Sequence, residues 1–308
     1  MKPLTHFKKT KILRNIFLSL GAIFALALTA HAQNLYVSTN VPGGSHVIYE
    51  YTPDGMQSTY ATGLDNPRGL AFDSIGNLFA TTAHDAHVGI ARVLKFNLRN
   101  HVSTVGSAVN FFFEGLAIDI AGNAYVMATD DTSPTGAGTI FKFTPSGERI
   151  VFGSVPGVPD NPTANLGLAF DSTGNLYATA SGAQTIYKFA PDGTRTVFVG
   201  PDAFAPGEYP AGLAFDSSGN LFVSIETFSD PLADSIVYFT PMGVKSTFAT
   251  GLTTPRGLAF DSSGNLFVAE ANAIPDGDIL KYAPNGGFLG VFATGFGRPE
   301  FLTFGPPR

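Results

Sequence analysis

Pro255-Arg-Gly-Leu-Ala-Phe-Asp-Ser-Ser-Gly-Asn-Leu-Phe-Val-Ala-Glu270 decides the fold, because its middle recurs along the chain. It recurs as Gly69-Leu-Ala-Phe-Asp-Ser-Ile-Gly-Asn-Leu-Phe79, Gly115-Leu-Ala-Ile-Asp-Ile-Ala-Gly-Asn-Ala-Tyr125, Gly167-Leu-Ala-Phe-Asp-Ser-Thr-Gly-Asn-Leu-Tyr177 and Gly212-Leu-Ala-Phe-Asp-Ser-Ser-Gly-Asn-Leu-Phe222. The spacings between successive copies are 46, 52, 45 and 45 residues. A period near 45 built from short apolar runs and Gly-bearing turns is that of β-propeller blades.

Each unit resolves into four strands. In the unit quoted first, residues 257–260 read as inner strand A, Asp261-Ser-Ser-Gly264 as a turn and 265–270 as strand B. Residues 278–282 read as strand C and 288–294 as outer strand D. Gly supplies the positive φ that such tight turns require. The C-to-D turn, Pro284-Asn-Gly286, returns as Pro53-Asp-Gly55, Pro145-Ser-Gly147, Pro191-Asp-Gly193 and Pro241-Met-Gly243. The unit beginning at Gly69 has Asn97-Leu-Arg-Asn100 in its place. Strand A alternates small with large residues, which suits close backbone approach at a crowded axis.

The two chain ends complement one another. Residues 34–40, 47–51 and 57–62 read as strands B, C and D with no strand A before them. Phe301-Leu-Thr-Phe304 aligns with Gly257-Leu-Ala-Phe260, 44 residues on. The sequence therefore predicts an all-β chain: a six-bladed β-propeller with four antiparallel strands per blade. The last blade is closed by the C-terminal strand pairing with N-terminal strands. Such closure removes free sheet edges, and it must do so without disulfides, since the chain has no Cys.

Ahead of the repeats, Lys2, Lys8, Lys9, Lys11 and Arg14 precede an apolar run over 16–28 and then Ala30-His31-Ala32. This is the pattern of an export signal cleaved after Ala32. The run is short for an uncleaved anchor, which needs about 20 residues. The expected organisation is a signal peptide, 1–32, and the propeller, 33–308, in a secreted or periplasmic protein. Without the signal the chain carries thirteen Lys and Arg against twenty-four Asp and Glu. That balance speaks against nucleic acid and anionic membranes as partners, because both need basic surface. The lack of Cys excludes thiolate catalysis, Cys-ligated metals and a lipoprotein anchor.

The unit at 255–270 resembles the NHL repeat, whose units run Pro-x-Gly-[Ile/Leu]-Ala-[Val/Phe]-Asp-x-x-Gly-Asn-[Ile/Leu]-[Tyr/Phe]-Val-Ala-[Asp/Glu]. The resemblance extends in register over nearly all of the chain after residue 32. It implies a six-bladed fold shared with the senescence-marker-protein and gluconolactonase superfamily. Members of that superfamily bind a divalent metal, through Glu, Asn and Asp just before strand-A glycines, at the top of the channel. The corresponding positions here are Arg68, Glu114, Leu166, Ala211, Arg256 and Glu300. Glu114 matches the Glu ligand; Arg68 and Arg256 repel a metal. The sequence therefore predicts no cofactor and no resident metal, calcium or zinc being the ions the resemblance would imply. Virginiamycin-lyase-type propellers are similar too, but have seven blades and use His.

A propeller gathers its D-to-A and B-to-C connections on one face. Taken in ring order, Arg256, Glu300, Arg68 and Glu114 are neighbours of alternating sign at the mouth of the channel, and Leu166 and Ala211 make the rest apolar. The reading as a pocket that grips a carboxylate or sugar stands beside one as a salt-bridge ring that only sets blade register. The B-to-C loops add candidate ligand-binding residues: His84, Asp85 and His87 in blade 1, Glu226 in blade 4 and Glu270 in blade 5. Asp73, Asp119, Asp171, Asp216 and Asp261 recur at the A-to-B turn and are read as turn caps on the opposite face. No complete catalytic set is present. The expected function is thus a monomeric binding module for a peptide, glycan or small molecule. The alternative is a gluconolactonase-like hydrolase or lyase with its site at the top of the channel.

Overall fold

The computed structural model describes residues 33–40, 46–83, 89–130, 135–158, 167–227, 233–271, 277–295 and 297–307. They form six four-stranded antiparallel sheets arranged as the blades of a propeller. Blades 1 to 5 occupy 67–109, 111–155, 168–199, 208–252 and 255–294 in chain order. The sixth is shared. Pro299–Phe304 pairs with Leu35–Thr39 in the register Leu35↔Phe304, Val37↔Leu302, and Val47–Tyr51 and Gln57–Ala61 complete the sheet. The export segment expected at 1–32 lies outside the described residues, as do His84, Asp85, His87 and Leu166.

Burial follows strand position. Every residue of Leu35–Thr39, Leu78–Thr82, Leu176–Ala180 and Leu266–Glu270 is buried, because a strand B is covered on both faces by neighbouring blades. Six apolar clusters hold the ring, one at each junction between blades. At five junctions the centre is a trio of rings. Tyr177 of strand B meets Phe198 of its own strand D and Phe215 of the next strand A, both edge-on with centroids 5.0 Å apart. Tyr36, Tyr125, Phe222 and Phe267 repeat the arrangement. Between blades 1 and 2, Phe79 instead has Val105 and Ile118 in its cluster.

The A-to-B turns carry the expected caps. Asp261 Oδ1 accepts from the amides of Ser263 and Asn265, and its Oδ2 accepts from Asn265 Nδ2. The shared blade has Gly305 where that Asp belongs, and Glu50 where strand C of four other blades carries Lys95, Lys142, Lys188 or Lys281 and that of blade 4 carries Tyr238. Glu50 Oε1 accepts from Asn34 Nδ2 at 2.7 Å, so a carboxylate from strand C does the work of the missing turn aspartate.

The inner strands begin earlier than the repeat implies. They run Pro67–Phe72, Phe111–Ile118, Glu208–Phe215 and Pro255–Phe260, each with a register shift around its X-Gly pair. In these four strands the residue before the glycine therefore sits in a β-bulge rather than in a connection. A bulge bends the strand and re-aims a side chain, here towards the channel mouth.

Deleting residues 300–308 should remove the inner strand of the shared blade and expose the Leu35–Thr39 edge. The expected result is an insoluble protein, or one melting more than about 10 °C below the parent. Melting within a degree or two of the parent would contradict the closure described here.

Candidate functional site

Three backbone anchors fix the mouth residues. Ser38 Oγ donates to the Arg68 carbonyl at 2.7 Å, Thr81 Oγ1 to that of Glu114 at 2.7 Å and Ser224 Oγ to that of Arg256 at 2.9 Å. In each case the hydroxyl comes from strand B of the preceding blade. Ser224 Oγ also accepts from the Gly212 amide of its own inner strand, at 2.7 Å. One hydroxyl thus joins two successive bulges. The strand-A glycines permit the approach: a Cβ on Gly69 would lie 2.5 Å from the Glu114 carbonyl oxygen, and one on Gly212 would run into that of Arg256.

The side chains so held form one network. Arg68 Nη1 lies 3.1 Å from Glu300 Oε2 and 3.5 Å from Glu114 Oε2. Arg256 Nη1 donates to Glu300 Oε2 at 2.6 Å, and its Nε lies 3.4 Å from Glu226 Oε1. Arg298 Nε lies 3.2 Å from Glu300 Oε1. Glu300 is the hub, fully buried beneath three guanidiniums. The ring order expected from sequence, Arg256, Glu300, Arg68, Glu114, is the order of these contacts.

Two members differ from the sequence reading. Glu226 belongs to the strand Leu221–Thr227, paired with Tyr209, and not to a loop. Its place there brings it onto Arg256. Arg298 was not foreseen. The signal was present in Arg298-Pro-Glu300, because the residues before the matching prolines, Asn66 and Thr254, are uncharged. The set is thus three Arg and three Glu, not two and two. Glu270 ends its strand and is not brought to the arginines; its Oε1 accepts from the Thr253 amide at 2.6 Å and so holds the D-to-A connection.

Burial divides the carboxylates electrostatically. It would push Glu300 up, but Arg256, Arg68 and Arg298 outweigh it and hold the carboxyl below its usual range. Burial also pushes Glu114 up, and Arg68 only partly offsets this while Glu300 adds repulsion. Glu226 is raised by burial too, opposed by Arg256 and reinforced by Glu300 and Asp234. Burial lowers Arg298, Glu300 raises it, and Arg256 and Arg68 lower it further, for a net downward shift.

This donor set does not fit the divalent metal that the fold resemblance implies. Two of the expected ligand positions are cationic, and Glu300 is already engaged by three arginines. Among the described residues no group of three His, Asp or Glu side chains is disposed to hold a metal. Next to the charged tier, where the chain passes from Arg256 to Gly257 and from Glu300 to Phe301, the channel contains a cavity of about 140 Å³. Leucines from the inner strands and Phe301 supply its apolar walls.

Fold and site together define a six-bladed β-propeller with an ion-paired channel mouth. No protein-family model matches the chain, and no curated protein matches its sequence. Solved structures do match. TolB from Acinetobacter baumannii aligns with a TM-score of 0.68 at 11% identity, over 89% of this chain and 67% of that one. A putative 6-phosphogluconolactonase from Bacteroides fragilis aligns with a TM-score of 0.59 at 15% identity, over 90% and 99%. Virginiamycin B lyase from Staphylococcus aureus aligns with a TM-score of 0.51 at 17% identity, over 72% and 68%. At these identities the likeness is one of fold.

Glu300→Gln leaves three half-buried guanidiniums facing one another without the hub charge. The expected loss is about 3–5 kcal/mol, or roughly 10 °C in melting temperature. The sign with pH follows from the lowered Glu300 carboxyl. Its contribution is complete above the usual glutamate value of 4.5 and is lost as pH falls through the lower folded value. Melting curves of parent and variant should therefore converge as pH is taken progressively below 4.5. A gap of constant size over that range would show that Glu300 is not the charged hub.

Proposed function

We propose that this chain is an exported, NHL-like propeller that binds a ligand at the channel mouth through Arg68, Arg256, Arg298, Glu114, Glu226 and Glu300. One observation carries this reading. Ala211 occupies the same bulge position in blade 4, and that blade pairs its strands and joins its neighbours like the rest. The fold therefore does not need charge at these positions. Buried ion pairs are a poor source of stability compared with apolar residues of like volume. Six charged groups gathered at one end of the channel are better accounted for by recognition than by register. Export rests on the basic and apolar pattern of residues 1–32 and on Ala30-His31-Ala32.

A second reading, as a gluconolactonase-like hydrolase or lyase, is favoured by the raised Glu114 carboxyl. An acid held up by burial can keep a proton for a leaving group. Under that reading Glu114→Gln would abolish turnover of a lactone panel while leaving ligand binding in place.

The double change Arg68→Ala with Glu114→Ala removes one charge of each sign and limits the penalty of an unpaired buried group. The variant should melt within a few degrees of the parent. It should also lose the thermal shift that a panel of sugars, lactones and small carboxylates gives the parent. A variant melting far below a parent that no compound stabilises would leave the ring as a structural device.

A further inference from the structure

The accessible parts of the mouth are its cations. The side chains of Arg68, Arg256 and Arg298 keep 14%, 13% and 31% of their surface, whereas Glu300 keeps none and Glu114 and Glu226 keep 7% and 10%. Each guanidinium offers five N–H donors in a planar fork. Arg68 engages its carboxylates through Nη1, Arg256 through Nη1 and Nε, and Arg298 through Nε. Among the described residues, only Arg256 Nη1 of these nitrogens meets a carboxylate with hydrogen-bond geometry. Several pairs also lack hydrogen-bond geometry: Arg68 Nε, Arg298 Nε, Glu114 Oε2 and Glu226 Oε1 are buried without a hydrogen-bond partner. An arginine cluster that is the most accessible part of an under-satisfied network matches a carboxylate, which accepts two parallel N–H bonds from one fork.

The channel supplies the other half of the specificity. Its cavity of about 140 Å³ is walled by Leu70, Leu116, Leu168, Leu213, Leu258 and Phe301. Glycine backbone and Thr303 line it as well, so polar and apolar groups share its surface, and a space of about this size holds a single six-membered ring. Gly257 and Phe301, which also line it, directly follow Arg256 and Glu300 in the chain.

Resting on the reading of the mouth as a ligand site, we infer that its ligand is a small ring-bearing carboxylate. The carboxylate lies on the forks of Arg68, Arg256 and Arg298, and the ring enters the leucine-lined cavity. Binding brings a proton with it. A second anion at the arginines competes for the cations that partly neutralise Glu114 and Glu226, which raises the proton affinity of both. The charged groups facing Glu114 are Arg68, Glu300, Arg256 and Arg298. Those facing Glu226 are Arg256, Glu300, Asp234 and Arg298. Affinity should accordingly rise as pH falls towards the acid range, as long as the ligand stays ionised.

Calorimetry on the chain from residue 33, with benzoate, benzamide and acetate as probes, tests this. Benzoate is expected to bind at least about tenfold more tightly than either benzamide or acetate, since one lacks the charge and the other the ring. Arg298→Gln, at the most exposed of the three arginines, should weaken benzoate at least about tenfold without a large change in melting temperature. Titration in two buffers of different ionisation enthalpy, repeated from neutral into the acid range, should show proton uptake on binding. That uptake should disappear in the variant carrying Glu114→Gln and Glu226→Gln. Equal affinity for benzoate and benzamide, acetate binding as tightly as benzoate, undiminished binding by the Arg298→Gln variant, or binding without proton uptake would each overturn the inference. If a sugar or lactone still binds at the mouth in those cases, the proposed function stands and only the ligand class is wrong. If nothing binds, both readings fall together.

Discussion

Everything in this propeller depends on how closely the six inner strands approach at the axis. A Cβ on Gly257 would lie 2.7 Å from the Phe301 Cα, and one on Gly69 2.7 Å from the Leu116 amide nitrogen. Only glycine permits that spacing, although it costs more conformational entropy on folding than any other residue. With the strands so near, the backbone of one bulge meets the next, and a strand-B hydroxyl bridges them. Ser224 does so between Gly212 and Arg256, and Ser38 between Phe301 and Arg68. The devices that close the ring are therefore the ones that aim the mouth side chains. A substitution at an inner glycine would disturb blade packing and site geometry together.

The same crowding explains the electrostatics. Charged side chains on adjacent bulges have little room to turn away from one another, and alternating sign is the arrangement that tolerates this. Glu300 lies where three cations reach it and stays ionised. Glu114 and Glu226, at the two ends of the series, each contact one arginine at 3.5 and 3.4 Å and are held up by burial. A chain of nominally equal carboxylates is thus sorted by position alone into one carboxyl held below its usual range and two held above it.

How much of this was legible in the sequence depended on whether a feature repeats. Blade number, the turn glycines and the shared blade follow from the phrase ending at Glu270 and its echo at 301–304, because each copy checks the others. The order of charges around the mouth followed from the same register. Features belonging to one blade were not legible in this way. Glu226 joins the network because its strand B runs to Thr227 where the strand in blade 5 stops at Glu270, a difference set by pairing with Tyr209. Arg298 reaches Glu300 from outside the repeated phrase. Glu50 stands in for a turn aspartate only because Gly305, more than 250 positions away in the chain, lacks a side chain. Pairings of that kind show themselves only once the two chain ends lie side by side.

That closing blade is also where fold and site become one event. Glu300 lies on the strand Pro299–Phe304, the one that pairs with Leu35–Thr39. Until it docks, Arg68 of blade 1 and Arg256 of blade 5 belong to opposite ends of an open array, with no shared counter-charge. Docking brings Glu300 between them and places Arg298 beside it, and the Leu302 side chain joins the apolar cluster that links blades 5 and 6. An unclosed propeller therefore has scattered charges at its inner edge but no mouth. Because the hub is supplied by the segment that completes the ring, the ion-paired mouth exists only where the shared blade is closed.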